Sequence, residues 1–586
     1  MKTSLDDLYI LALDCQTTGA TPENGHLLEV GWVKTRASAF ETPEDLKPQA
    51  YLAKLPAGEE IPRTISRITG IGGADMAAAS DPLKIWHTLE RVAYDVAASN
   101  LNDRCPAIVH FARFEAPFLR DLHQKYQSPE TFPFRLICTH EIARRLLPDL
   151  PRRGLRALAG FFGHSMPEFR RSADHALATV IIWKKLVKLL RRKADVVSPE
   201  QLMDWMESSV PRARSGRSYP MDPEIRRALP DQPGVYRMLR SNGDVLYIGK
   251  AKSLKRRVNS YFRQSGSPGE HILEMLTQAY GLNFTETGSA LEAAILESDE
   301  IKCQSPPYNV ALRTGQRDLI FCNKELQDFA HKADADHPVG PLPAGNLNAA
   351  MTAFADLINA QTDTNPAQLE KIADTLLGFP AEYAPEKECL LEGLEIFRHR
   401  HDGVLQRGRP LQIITGLGAT LWQERLEQQE LEAEQADDLD ETQAQRLDEE
   451  EHVWTPEEVA GVIESFMRRA AHLIRRSRWF CILSEASLAW ASPLAGDQDR
   501  ILISLKAGAV ARREILGFNE KVPVPSNYDC PANRRKQNID LTTYDRLRVL
   551  TTELRRLVAE DRKIELRLRP TATLGNPELK KVLRWV

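Results

Sequence analysis

The chain has 586 residues, 42% hydrophobic and 27% charged, with a formal net charge of −4. At roughly 100–200 residues per domain this length suggests about three or four domains, and the composition excludes a mainly disordered, collagen-like or fibrous protein. The small net charge advertises neither a basic nucleic-acid binder nor an acidic tail, but it averages unlike parts. From Glu424 to Glu451 thirteen acidic residues face two arginines, a local −11 that leaves +7 for the rest.

Cysteines 15, 105, 138, 303, 322, 389, 481 and 530 show no C-x-x-C and no short paired spacing, which argues against a zinc ribbon or a disulfide scaffold and fits reduced thiols. Asp6 and Asp7 precede the first apolar run, the opposite of a basic secretory start, and no stretch of about 18 apolar residues could span a bilayer. The expectation is a soluble, cytoplasmic protein with no membrane partner.

In chain order, Tyr9–Leu13, Leu27–Val33 and Ala107–His110 read as strands and Asp174–Lys188 as a helix, an α/β pattern over 1–193. Residues 194–228 read as a polar linker. A second α/β unit covers 229–313: a strand opening at Gly234-Val-Tyr236, a turn at Asn242-Gly243, and a strand through Tyr247 to Lys250. A basic helix, Ser253–Phe262, follows, and a capping box at Ser289–Glu292 opens the helix bearing Glu297. From Pro211 to Arg263 thirteen Lys or Arg stand against four acids, a local +9 suited to a phosphate backbone.

Residues 314–423 read as mostly helical, with His331–Asn346 as a loop. Residues 424–452 read as an acidic tether, and 453–586 as an α+β region. In that last region Thr455-Pro-Glu-Glu458 caps a helix, Phe480–Leu483 and Ile501–Leu505 read as strands, and Leu547–Leu557 as an amphipathic helix. No catalytic constellation stands out beyond residue 313.

Two motif sets carry chemistry. In the first, Asp14-Cys-Gln16-Thr-Thr-Gly19, His110-Phe-Ala-Arg-Phe-Glu115 and Arg170-Arg-Ser-Ala-Asp-His175 follow in order. Over residues 6–190 these resemble the DEDD 3′–5′ exonucleases, typified by the proofreading epsilon protein of bacterial replication, which implies a ribonuclease-H-like fold. Members hold two metals with four carboxylates. Here Asp14 remains, Gln16 stands for Glu, Glu115 for Asp, Arg170 for the general-base His and His175 for the last Asp. Glutamine offers only a neutral oxygen, and arginine cannot act as a base near neutral pH. The resemblance therefore implies a fold that binds or positions nucleic acid without cutting it.

In the second set, P-G-V-Y236, L-Y247-I-G-K250-A-K252, R-R257-V-N-S-Y261-F, A-L-E-A-A-I-L-E297 and P-P-Y-N309-V appear in register. These resemble the GIY-YIG nucleases, and within them the amino-terminal domain of the UvrC excinucleases and the shorter Cho-like endonucleases. The resemblance implies that Glu297 holds one Mg²⁺ or Mn²⁺ and that Arg257 contacts the scissile phosphate. It also implies that Tyr247, with Tyr236 nearby, positions or deprotonates the water. Lys250, Tyr261 and Asn309 complete the site, while Lys252, Lys255 and Arg256 bind DNA. The expected function is a single metal-dependent incision, on the 3′ side of a lesion in double-stranded DNA marked by UvrA and UvrB. A proofreading-type 3′–5′ exonuclease and a non-catalytic DNA-binding scaffold are the alternatives.

Overall fold

The computed structural model describes all residues except 1–3, 40–44, 127–130, 165–169, 210–215, 264–267, 310–317, 360–374, 376–384, 407, 437–453, 493–498, 518 and 526–538. The chain divides into two compact units, Met1–Glu286 with Pro306–Val310, and Thr287–Ser305 with Ala311–Val586. Residues of the module expected over 229–313 are thus shared between them. Among the described residues no helix is long and apolar enough to cross a membrane, and the seven described cysteines are free.

The first unit opens with strands β1 (Tyr9–Thr17), β2 (Leu27–Arg36), β3 (Gln49–Leu52), β4 (Cys105–Val109) and β5 (Phe134–Cys138), ordered β3-β2-β1-β4-β5. The first three run antiparallel, whereas β4 and β5 join parallel to β1. A parallel neighbour needs a crossover, supplied by α1 (Arg63–Thr69) and α2 (Pro82–Ser99). After β4 and β5 come α3 (Ala112–Lys125), α4 (Thr139–Leu146), α5 (Leu155–Phe161) and α6 (Ser172–Ala194). Because β1 is central its residues are buried on both faces, which is why Tyr9–Leu13 is a continuous apolar run. This is the mixed sheet expected of the ribonuclease-H-like class.

The expected linker is partly structured. A capping box of Ser198 and Gln201 opens α7 (Pro199–Glu207), and buried Arg145 donates to the carbonyls of Trp205 and Ser208 at 3.1 and 2.8 Å. Asp222 caps the short helix α8 (Pro223–Arg227). Strands β6 (Gly234–Leu239), β7 (Val245–Ala251) and β8 (Gly281–Glu286) then form an antiparallel sheet ordered β7-β6-β8. Helices α9 (Leu254–Ser260) and α10 (Glu270–Gln278) lie between β7 and β8 in sequence. The α5 and α10 helices pack together. Beside them the Arg152 amide donates to Thr277 Oγ1 at 3.1 Å and the Tyr280 hydroxyl to the Phe161 carbonyl at 2.9 Å.

The second unit contains α11 (Ala290–Gln304) and a three-stranded sheet, β10-β9-β11, built from β9 (Leu319–Cys322), β10 (Phe329–Ala330) and β11 (Val339–Pro343). Helices α12 (Asn346–Asn359), α13 (Lys387–Leu405), α14 (Pro410–Ala436) and α15 (Pro456–Leu483) follow. Then come β12 (Ser487–Ala491), β13 (Asp499–Lys506), β14 (Ala509–Gly517), α16 (Leu541–Ala559), β15 (Ile564–Arg569), β16 (Ala572–Leu574) and α17 (Asn576–Leu583). The five strands form an antiparallel sheet ordered β14-β13-β12-β15-β16.

Two sequence expectations fail here. The segment 331–346 is not all loop, because Val339 and Leu342 are buried and pair with β9 as β11. Phe480–Leu483 is not a strand but the last turn of α15, whose Thr455–Glu458 capping box forms as expected. Its phenylalanine, isoleucine and leucine suit either state by propensity, and burial at helical spacing decides: Phe466 and Met467 enter one apolar cluster, Phe480 and Leu483 another. The helical part of the acidic run reaches Ala436, and the remainder lies outside the described residues.

Gly31 on β2 lets α6 approach the sheet, since a Cβ there would come within 2.7 Å of Ser172. Gly31→Ala is expected to cost about 1–3 kcal/mol by overpacking. Denaturant unfolding of the full chain checks this, and an unchanged midpoint would show that α6 can yield.

Candidate active site

A hydrogen-bonded chain lies on the small sheet of the first unit. Tyr236 is fully buried on β6, opposite Gly249 of β7 in the strand register. Only glycine fits at 249, because a Cβ would meet the Tyr236 hydroxyl at 2.4 Å. That hydroxyl shares a hydrogen bond of 2.8 Å with the hydroxyl of Tyr261, at the end of α9. Arg257, one helical turn earlier, donates from Nη2 to the Tyr261 oxygen at 3.0 Å and lies 4.8 Å from its ring centre. The rings of Tyr236, Tyr247 and Tyr261 stand 6.1–6.4 Å apart in a triangle. Ser253 caps α9, its side chain accepting from the Arg256 amide, so the turn bearing Arg257 starts at a set place.

Burial pushes the Tyr236 phenol well above its ordinary pKa, with the neighbouring Tyr261 and Tyr247 adding to the effect. Tyr236 therefore stays protonated at neutral pH, and its hydroxyl is shared with that of Tyr261. Tyr247 is half-buried. Asn309 mimics a backbone: its Oδ1 accepts from the Ile248 amide at 2.9 Å, and its Nδ2 donates to the Ile248 carbonyl at 2.8 Å. It thereby fixes β7 between Tyr247 and Gly249. Lys250 is half-buried at the end of the same strand, whereas Lys252, Lys255 and Arg256 are exposed. Arg256 pairs with Asp231 at 3.2 Å, which ties up part of its charge.

The sequence does not announce the buried network behind this cluster. Arg240 donates to Gln278 Oε1 at 3.1 and 3.3 Å, Gln278 donates to the Tyr308 hydroxyl, and Tyr308 donates to Glu274 at 2.6 Å. The only sequence signal is Tyr308 beside Asn309, because the other members lie in helix and strand positions that read as ordinary.

Glu297 lies on α11, in the second unit, and is half-buried. Among the described residues no three His, Cys, Asp or Glu side chains gather as a metal cage. A single carboxylate is a hard oxygen donor of the kind Mg²⁺ or Mn²⁺ accepts while keeping waters and substrate phosphate in its other positions. Glu297 thus fits one ion of that type and does not fit a two-metal cage.

The exonuclease-like motifs converge in the first unit. Asp14 is buried at the sheet centre, and its Oδ2 lies 3.2 Å from His175 Nδ1. Gln16 Nε2 reaches both Asp14 at 3.4 Å and His175 at 3.2 Å. The altered residues Gln16 and His175 therefore meet each other and Asp14. His175 rather than Asp174 meets Asp14, the two neighbours pointing about 100° apart on the helix. Glu115 is buried, and its pKa is raised well above the carboxylate range by burial first and the Asp14 charge second. Arg170 is exposed.

Sequence reasoning misses Glu29, in the apolar run of β2. It is buried and accepts from Arg171 Nε at 2.9 Å, from the Ser172 amide at 2.8 Å and from Ser172 Oγ at 2.7 Å, which fastens the start of α6. A lone acid within Leu27–Val33 is the available signal. His110 hydrogen-bonds Thr139 and the Arg153 carbonyl. Burial, then the charge of His140, lowers its pKa to about 3, so it is neutral and structural.

Comparison with known proteins agrees with both motif sets. The family described as the UvrC-like GIY-YIG domain matches residues 232–310. A bifunctional exonuclease/endonuclease protein of Mycobacterium tuberculosis is 28% identical over 322 residues, covering 53% of this chain and 45% of that protein. The UvrABC system protein C of Alkalilimnicola ehrlichii is 32% identical over 222 residues, 34% of each chain. The magnesium-bound amino-terminal domain of UvrC from Thermotoga maritima is 34% identical, with 15% of this chain and 100% of that one covered and a TM-score of 0.14. The chain thus spans less than half the length of the two curated relatives.

The raised pKa of Glu115 carries a stability prediction. Stability from its protonated form is full below about 4.5 and is lost as pH rises through the folded value. Glu115→Gln does not ionise, so it is expected to gain about 1–3 kcal/mol at pH 8 and nothing near pH 4. Melting curves at the two pH values test it, and an equal effect at both would disprove the cause.

Proposed function

Because residues 232–310 match the UvrC-like GIY-YIG domain, we propose that this chain is a metal-dependent endonuclease that cuts one phosphodiester bond in damaged double-stranded DNA. The observation that carries it is the chain from buried Tyr236 through Tyr261 to Arg257, which holds a guanidinium in one orientation on a basic module. A fixed guanidinium can form charge-assisted bonds to a phosphate as charge develops in the pentavalent transition state. One divalent ion on Glu297 would supply further neutralisation at the phosphate. Tyr247 would orient the attacking water, and Asn309, by bonding both backbone groups of Ile248, would keep Tyr247 in place. Tyr261, held from both sides, would set the reach of Arg257. Lys250 would add positive charge beside the phosphate, while Lys252 and Lys255 would hold the backbone on either side.

Incision in nucleotide excision repair, on the 3′ side of a lesion presented by UvrA and UvrB, is the finer form of this proposal. It is supported by the UvrC-like domain and by relatives in the UvrABC system.

The name of the mycobacterial relative raises a second reading, in which the first module is also an exonuclease. The Asp14–His175–Gln16 contacts count against it. Two metal cations need compensating anions, and Gln16 and His175 supply none. We therefore assign that module a non-catalytic, DNA-positioning role.

Glu297→Ala and Arg257→Ala are each expected to slow nicking of a lesion-bearing duplex by about 10²–10³-fold or more, while Asp14→Ala leaves the rate within about twofold. The assay uses the full chain with Mn²⁺ and the UvrA and UvrB proteins. Loss of cutting in Asp14→Ala with retention in Glu297→Ala would move the active site to the first module. Mn²⁺-dependent nucleotide release from a 3′ end, abolished by Asp14→Ala, would restore the exonuclease.

A further inference from the structure

The helix that carries Glu297 is anchored by residues far along the chain. On α11, Leu291 and Ile295 enter the apolar cluster formed by Phe480, Leu547 and Leu550. Lys302 Nζ lies 3.0 Å from Asp545 Oδ2 of α16, with side chains 5% and 0% exposed. Arg546, the next residue, donates to both oxygens of Asp299 at 2.7 and 3.0 Å. Arg513 of β14 pairs with Glu292 at 3.2 Å. The partners on α16 lie outside the 232–310 match.

These contacts share one side of the helix. At about 100° per residue, 291, 295, 299 and 302 fall on a single stripe, whereas 297 lies roughly 200° around from 295. The helix is held by its back, and Glu297 is on the opposite side. A buried ion pair contributes little to stability relative to apolar residues of similar volume, yet it tolerates no loss of either partner. Slipping α11 by one residue would turn Lys302 away by about 100° and shift it by 1.5 Å. The bidentate Arg546–Asp299 pair adds a second fixed point. On this side α16 therefore fixes the register and rotation of α11.

Resting on the assignment of Glu297 as the metal carboxylate, we infer that Asp545 and Arg546 are positioning residues for that carboxylate. The carboxy-terminal region is then a functional part of the nuclease, because it sets how well Glu297 holds the ion. Residues that orient a ligand from behind typically change metal affinity by about 10–100-fold when removed.

The test uses the full chain carrying Arg546→Ala, or Lys302→Met together with Asp545→Leu, an apolar pair of similar volume chosen to preserve the fold. Thermal unfolding checks folding, and Mn²⁺ binding without DNA is followed by the paramagnetic resonance signal of free Mn²⁺. Nicking is measured as a function of Mn²⁺ concentration. The expected result is a folded protein whose half-saturating Mn²⁺ rises about tenfold or more in both measurements, with nicking recovered at high Mn²⁺ and partial recovery of affinity in Arg546→Lys. Should the double variant fail to fold, Arg546→Ala decides alone. Folded variants with unchanged Mn²⁺ affinity and unchanged nicking would overturn the inference. Retained Mn²⁺ binding and nicking in Glu297→Ala would instead overturn the assignment of Glu297, a result read without touching α16.

Discussion

A phenol hydroxyl buried within a small sheet must find its hydrogen-bond partner inside the protein or cost roughly 1–3 kcal/mol. Tyr236 is in this position, and its partner is Tyr261. Much of the small module follows from that requirement. Gly249 must lack a side chain so that the hydroxyl fits, and α9 must start at Ser253 so that Tyr261 arrives beside it. Arg257 is then brought to the same oxygen one turn earlier. Burial also raises the Tyr236 pKa, so the group that organises the cluster stays protonated, while its neighbour Tyr247 is half-buried.

The first module answers a different constraint. Two carboxyl groups, Asp14 and Glu115, remain buried where the exonuclease family concentrates negative charge for metals. The protein compensates from within: His175 and Gln16 approach Asp14, and Glu115 is driven toward its neutral form. The central strands and α6 are held by apolar packing and by the Glu29–Arg171–Ser172 contacts, none of which involves a metal ion.

Legibility in the sequence follows the range of the interactions. The hairpin around Asn242-Gly243, the caps at Ser289 and Thr455 and the central run Tyr9–Leu13 are local patterns, and each forms where it is expected. Phe480–Leu483 misleads because four residues rich in aromatic and branched side chains suit a strand and a helix end equally. Burial alongside Leu547 and Leu550 selects the helix. The strand Val339–Pro343 is hidden by Pro and Gly, which read as loop until β9 is present to pair with it.

The motifs by themselves determined the chemical vocabulary of this protein: tyrosines, an arginine, a glutamate and an asparagine in nuclease order, and an exonuclease pattern with two of its four carboxylates exchanged. That much is carried by residue type and spacing. Tertiary structure decided which groups touch. It placed His175 rather than Asp174 at Asp14, sealed Tyr236 away from water, and pinned the Glu297 helix to Asp545 and Arg546, more than 240 positions along the chain. Ion pairs and buried hydroxyls join residues whose separation in sequence bears no relation to their separation in space, so no periodicity or motif can announce them.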